Sequence, residues 1–250
     1  MRPPLNRPEP ELALSVVIPF FNEAGNVGPL LAELRASLAA LPVGAEVIAV
    51  DDGSTDGTGA ELAAAARDWP GLRVRRWAEN RGQAAALWDG FAAARGDWVA
   101  MLDGDGQNPP AELARLWAVR DRADLIAGIR AERRDPVLRR AMSRVANAAR
   151  RLLLRDGVSD TGCSLKLFRR EVAGSFLPIR SMYSFLPAFA RAAGYTVHEV
   201  PVAHRPRRAG TSKYGLAVMA VRPLLDLLAL TWVLRRVFRQ RGQPASRALD

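Results

Sequence analysis

Short apolar runs rich in β-branched residues alternate with Ala- and Leu-rich stretches of helical period through the first half of the chain. The runs predict strands at Leu14–Phe20, Glu46–Asp51, Leu72–Trp77, Trp98–Asp103 and Leu125–Ile129. The stretches between them predict helices near Asn26–Ala40, Thr58–Asp68, Gln83–Ala94 and Pro110–Arg120. Continuously apolar strands, each followed by a helix, suit an α/β fold with a mostly parallel sheet covered on both faces. The second half is less regular. It predicts a basic helix over Val137–Arg155, a strand near Ser164–Phe168, a helix near Phe185–Ala193, a strand over Tyr195–Val202 and a basic loop over Arg205–Lys213.

The most apolar segment, Gly215–Gln240, predicts a final helix. Arg222, Asp226 and Arg235 break it into pieces shorter than the roughly 20 apolar residues a membrane span needs. Its leucines, Trp232 and the following Arg235, Arg236, Arg239 and Arg241 suit either of two readings: a core helix with a solvated basic end, or an amphipathic helix lying in a membrane interface. The organisation expected is a Pro-rich extension over 1–11 without a secretory h-region, one catalytic domain over 12–214, and this helix and tail over 215–250.

Composition changes this picture in two ways. A single cysteine, Cys163, excludes an intrachain disulfide framework and a multi-cysteine zinc site. The net charge of +10 is unevenly spread: residues 1–119 carry 10 Arg against 16 Asp and Glu, and residues 120–250 carry 26 basic against 10 acidic residues. A basic half of this kind suits nucleic acid, an anionic membrane surface or phosphorylated substrates. No nucleic-acid module accompanies it, and aromatic residues do not interleave the basic runs, so nucleic acid is disfavoured as a partner. Most of these arginines, Arg133, Arg134, Arg150 and Arg151 among them, read as a solvated or membrane-facing surface.

The most informative stretch is Asp103-Gly104-Asp105-Gly106-Gln107-Asn108-Pro109-Pro110, which follows a predicted strand. Ligands of open α/β sheets bind at the carboxyl ends of strands. Two carboxylates at i and i+2 on a glycine-rich loop, ~4 Å apart, repel by ~4 kcal/mol at an effective dielectric of 20. A hard divalent cation, Mg2+ or Mn2+, relieves that repulsion, and Gln107 adds a neutral oxygen. The plain alternative is an Asp-Gly turn with no ligand. A second acidic cluster, Asp51-Asp52-Gly53-Ser54-Thr55-Asp56, also follows a strand, where a carboxylate accepts hydrogen bonds from a base or a ribose. Neither Gly-x-Gly-x-x-Gly after the first strand nor Gly-Lys-Ser/Thr is present, which argues against a dinucleotide site and a P-loop.

Together with Pro19-Phe20-Phe21-Asn22-Glu23 and Asn80-Arg81-Gly82, these segments resemble the family 2 glycosyltransferases of the GT-A fold. Asp160-Thr161-Gly162-Cys163-Ser164-Leu165-Lys166 and Arg207-Arg208-Ala209-Gly210-Thr211-Ser212-Lys213-Tyr214 resemble, within that family, the polyprenyl-phosphate sugar transferases of the dolichol-phosphate mannose synthase type. The resemblance implies a nucleotide-diphosphate-sugar donor of GDP-mannose or UDP-hexose type, a polyprenyl-phosphate acceptor, a divalent metal and a peripheral place on the cytoplasmic face of a membrane. Whether a small membrane-protein partner holds the protein at the bilayer is left open by the sequence. By position, Pro19, Phe21, Glu23, Val50, Asp52, Asp103, Gly104 and Asp105 are expected to hold the donor. Asp103, Asp105 and Gln107 are expected to hold the metal, and Arg144, Lys166, Arg207, Ser212 and Lys213 to meet acceptor and phosphates. Asp103, Asp105 and Asp160 are the expected catalytic carboxylates, with Asp160 orienting the acceptor or acting as a weak base. Phe21 stands where the family commonly has Tyr, which keeps stacking and removes a hydroxyl. The alternatives are a soluble glycan or protein acceptor within the same family, or a non-catalytic nucleic-acid binder.

Overall fold

The computed structural model describes residues 12–131, 150, 153–154, 157–206, 216–234 and 236. Among the described residues, seven strands form one sheet: β1 (Leu12–Phe20), β2 (Gly44–Asp51), β3 (Leu72–Arg76), β4 (Trp98–Met101), β5 (Leu125–Arg130), β6 (Lys166–Arg169) and β7 (Val197–Val202). Their spatial order is β3-β2-β1-β4-β6-β5-β7. β6 alone runs antiparallel, inserted between β4 and β5; the other pairings are parallel. Six helices have both ends among the described residues: α1 (Val27–Ala39), α2 (Thr58–Arg67), α3 (Gln83–Ala93), α4 (Leu113–Ala118), α5 (Met182–Ala192) and α6 (Leu216–Leu234).

The strand residues alternate between two cores, as the pleat requires. Val16, Ile18 and Phe20 join Leu30, Leu34, Leu62 and Leu116 on one face. Val17, Ile48 and Val50 join Leu87, Phe91, Met101, Phe168 and Phe189 on the other. Phe168 anchors the second core edge-on to Phe91 and Phe176, with both centroid distances 5.1 Å.

The predicted elements of the first half match the structure closely. The predicted Pro110–Arg120 helix is instead a 3-10 turn at Pro110–Glu112, α4 and a second 3-10 turn at Arg120–Arg122. α5 begins about a turn before its predicted start at Phe185, and Pro187 lies inside it. The predicted basic helix over Val137–Arg155 and the extension over 1–11 lie essentially outside the described residues. Arg150 departs from the expected solvated surface: it is buried, and its guanidinium donates to the Val158 carbonyl.

Glu46 on β2 joins three parts of the sheet. Its carboxylate accepts hydrogen bonds from Ser15 Oγ at 2.8 Å, Arg73 Nη1 at 2.8 Å and the Arg95 amide at 2.9 Å. Burial by itself raises this carboxyl's pKa, but the three donors outweigh it and hold the group below its ordinary 4.5. A carboxyl depressed in the folded state contributes stability above its unfolded pKa and loses it as pH falls through the folded value. Replacing Glu46 by Gln should therefore cost about 2 kcal/mol at neutral pH. The gap between parent and variant in urea denaturation should shrink as pH drops below 4.5. A gap that stays constant with pH would contradict this assignment.

Candidate functional site

Chain order places β2 and β3 on one side of β1 and β4 on the other, so a crevice opens at the carboxyl ends of β1 and β4. Three loops meet there. The first, after β1, is stitched to the second, after β2, by bonds from Asn22 N–H to Ser54 Oγ at 3.0 Å, from Thr55 N–H to Asn22 Oδ1 at 2.8 Å and from Glu23 N–H to Thr58 Oγ1 at 2.8 Å. Asn22 adopts a left-handed φ of 51° to make this junction. The third loop carries the Asp-Gly-Asp segment. Gly104 is pressed on the end of β1, where a Cβ would lie 2.6 Å from Phe20 Cδ1 and 2.9 Å from the Pro19 carbonyl oxygen. Pro19, the Asp103–Asp105 segment and the half-buried Phe21 and Glu23 thus share one end of the sheet.

Asp52 is 2% exposed, and both its oxygens are engaged. They accept the Arg81 amide at 2.7 Å, the Gly82 amide at 2.9 Å and Asn80 Nδ2 at 2.8 Å. Burial raises the Asp52 pKa, against which the Arg81 and Gly82 amides pull. The carboxylate therefore shapes the 80–82 turn as part of the crevice wall. Beside it, Arg81 stacks on Trp77, its guanidinium carbon 5.0 Å from the ring centroid. Val50, expected among the donor-binding residues, is sealed in the second core, and its side chain is not presented to the crevice.

Asp103 Oδ1 accepts Gln83 Nε2 at 2.7 Å, and Asp105 Oδ1 accepts the Gln107 amide at 3.0 Å. Among the described residues no group of three His, Cys, Asp or Glu side chains forms a closed metal cage. Two carboxylates in a partly open loop, with oxygen as the only donor element, fit a hard cation that completes its shell with phosphate oxygens and water. The residues present fit Mg2+ or Mn2+.

Asp160 is held bidentately by Arg130, Nε to Oδ2 at 2.8 Å and Nη2 to Oδ1 at 2.9 Å. This pairing suits an anchored anion better than a proton acceptor, because the Arg130 charge stabilises the carboxylate form. Lys166, expected to meet phosphate, is 1% exposed and donates to the Cys163 carbonyl. Burial lowers its pKa, while Cys163, Asp103 and Asp160 pull it back up. Its ammonium is withdrawn from solvent, within electrostatic reach of Asp103 and Asp160. Arg144, Arg207, Ser212 and Lys213 lie outside the described residues.

Sequence reasoning passed over three contributors. Gln83 and Arg130 orient the predicted carboxylates from other elements, and a bond of 2.6 Å from Asn108 Nδ2 to Ser164 Oγ ties the acidic loop to the 160–166 segment. Gln83 opens a helix, Arg130 ends a strand and Asn108 reads as a cap, so no spacing marks them as partners of the acids.

Residues 15–176 match the family model for glycosyl transferase family 2. The chain belongs to that family, and its fold is GT-A. It is 35% identical to the dodecaprenyl-phosphate galacturonate synthase of Rhizobium johnstonii over 236 residues, 92% of this chain and 70% of that protein. It is 37% identical to the undecaprenyl-phosphate 4-deoxy-4-formamido-L-arabinose transferase of Pseudomonas fluorescens, over 84% of this chain but only 62% of that one. Among solved structures, glucosyl-3-phosphoglycerate synthase from Mycobacterium tuberculosis in complex with Mn2+, UDP-glucose and phosphoglyceric acid superposes with a TM-score of 0.69 at 22% identity, covering 89% of this chain and 80% of that one. The same enzyme has been crystallised with Mg2+ and UDP, with a TM-score of 0.64 at 21% identity, covering 88% of this chain and 79% of that one.

Proposed function

We propose that the protein transfers a sugar from a nucleotide-diphosphate-sugar of GDP-mannose or UDP-hexose type to a polyprenyl phosphate at a membrane surface. The observation that carries this reading is the acidic pair Asp103 and Asp105, set at the carboxyl end of β4 across the crevice from the loop after β1. The named relatives, both polyprenyl-phosphate sugar synthases or transferases, support the acceptor class.

Asp103 and Asp105, with Gln107 beside them, would hold Mg2+ or Mn2+, which supplies Lewis-acid stabilisation of the departing diphosphate when bound. Gln83 fixes the orientation of Asp103, and the Gln107 amide that of Asp105. The nucleoside lies against Phe21 and the wall shaped by Asp52 and the 80–82 turn. A phosphate monoester has its second pKa near ~6 and is already an anion at neutral pH. The acceptor therefore needs no strong general base, and Asp160, neutralised by Arg130, is left to orient. Positioning two anions in line is the remaining work, with Arg144, Arg207, Ser212 and Lys213 on the acceptor side. The reaction is a single inverting displacement.

Membrane attachment rests on α6. Leu227 and Leu230 pack into the second core, whereas Leu225, Leu228 and Trp232 are 60%, 54% and 60% exposed. Arg236 stacks on Trp232 with its guanidinium carbon 4.3 Å from the ring centroid. A helix that is core on one side and apolar on the other combines both sequence readings, and an apolar stripe beside arginines suits an anionic bilayer interface. Among the described residues no helix is long and apolar enough to cross a membrane.

The test is radiolabelled transfer from UDP- and GDP-sugars, with Mn2+ or Mg2+, to undecaprenyl phosphate in mixed micelles and to phosphoglycerate in solution. Label in the lipid phase with an inverted anomeric centre is expected. Label only in phosphoglycerate, or a retained configuration, would overturn the acceptor or the mechanism respectively.

A further inference from the structure

Arg205 lies just past β7 and reaches two distant parts of the fold. Its Nη2 donates to Glu33 Oε2 on α1 at 2.8 Å, its Nε donates to the Gly106 carbonyl, and its backbone amide donates to the Gln107 carbonyl at 2.9 Å. The Gly106 carbonyl and the Gln107 amide belong to one planar peptide unit. Asp105 Oδ1 accepts the amide end of that unit at 3.0 Å, and Arg205 grips the carbonyl end. Gly106, at φ +72°, lets the chain turn tightly enough for both grips. Rotation of this peptide plane would carry the hydrogen bond that orients the Asp105 carboxylate with it, and the Arg205 fork opposes that rotation because Glu33 holds its far side. Arg205 is also the first residue of the basic segment over Arg205–Lys213.

We propose that Arg205 is a positioning residue: through the Gly106–Gln107 peptide it sets the aim of Asp105, and it fastens the root of the basic acceptor segment to the acidic loop. Its effect on the cation rests on the function proposed above; the clasp itself does not. Lysine cannot replace it, because a single ammonium lacks the fork needed to span Glu33 and the Gly106 carbonyl.

The test compares the parent protein with Arg205→Ala and Arg205→Lys in two measurements that do not depend on turnover. Mn2+ binding is followed by the free-ion electron paramagnetic resonance signal with UDP or GDP present, and amide hydrogen exchange is followed over residues 103–109. The expected result for Arg205→Ala is about ten-fold weaker Mn2+ binding and at least ten-fold faster exchange, with Arg205→Lys recovering only part of each. A lower melting temperature with unchanged ion affinity and exchange would overturn the proposal, leaving Arg205 a purely structural bridge. If Arg205→Ala does not fold, Arg205→Lys decides in the same way, since its exchange and ion affinity must also depart from the parent's. A parent protein that takes up no Mn2+ counts against the proposed function; the exchange over 103–109 then decides the clasp, faster in the variants upholding it and unchanged overturning it.

Discussion

Asp105→Asn should reduce sugar transfer by about 10^2–10^3-fold while leaving the melting temperature unchanged or slightly raised. The two halves of this expectation have separate causes. Asparagine keeps the shape of the side chain and an oxygen that accepts the Gln107 amide, so the turn that Asp105 closes survives. One of the two anionic groups available to a cation is lost, however, and electrostatic groups aimed at developing charge in a reaction of this type are worth about 10^2–10^3-fold each. At the same time the like-charge repulsion with Asp103, two residues away on the same loop, is relieved. Activity and stability should therefore move in different directions, which a residue needed only for folding does not do. Initial rates across a Mn2+ series, paired with thermal melts, make the comparison. Activity within ten-fold of the parent's would remove Asp105 from the centre of the chemistry.

Gly53→Ala should destabilise the protein by about 3 kcal/mol or more and abolish nucleotide binding. Gly53 sits at φ +69°, where an L-residue pays roughly 1–2 kcal/mol. The added Cβ would also stand 2.4 Å from the Glu79 carbonyl carbon and 2.5 Å from the Asn80 nitrogen. Both are backbone atoms, so no rotamer change relieves the contact; the 51–54 loop must move away from the 79–82 turn. That movement breaks the bonds from Asn80, Arg81 and Gly82 to Asp52 and leaves a buried carboxylate short of donors, adding a desolvation cost of about 1–3 kcal/mol. Urea denaturation measures the first effect, and thermal shift with UDP and GDP the second. A Gly53→Ala protein with parental stability and nucleotide-induced shift would show that the two loops do not form a wall together.

Much of the fold was legible along the chain because parallel strands buried on both faces must read as unbroken apolar runs. Ser15-Val16-Val17-Ile18 and Val47-Ile48-Ala49-Val50 announce central strands regardless of what lies between them. The antiparallel β6 was legible as a strand, but nothing in Lys166–Arg169 states that it inserts between β4 and β5. The acidic pairs were legible because local spacing brings Asp103 and Asp105 onto one loop. Their partners were not, since Gln83 is 20 residues from Asp103 and Arg205 is 99 residues from Gly106.

Lys166 marks the boundary most clearly. A lysine in an arginine-rich chain reads as a charge offered to a ligand, yet strand pairing with Met101 and Ala127 places it inside the sheet's cover, donating to the Cys163 carbonyl. α6 shows the same limit, since a leucine-rich helix carries no label saying which side faces the core until Leu227 and Leu230 find the aromatic cluster. The amino-acid order by itself determined the strand–helix alternation, the family and the acidic loops, because each depends on neighbours a few positions apart. Which carboxylates are held by arginine, which cation is buried and which helix face stays open were decided only by tertiary packing, because those energies depend on distances between residues far apart in the chain.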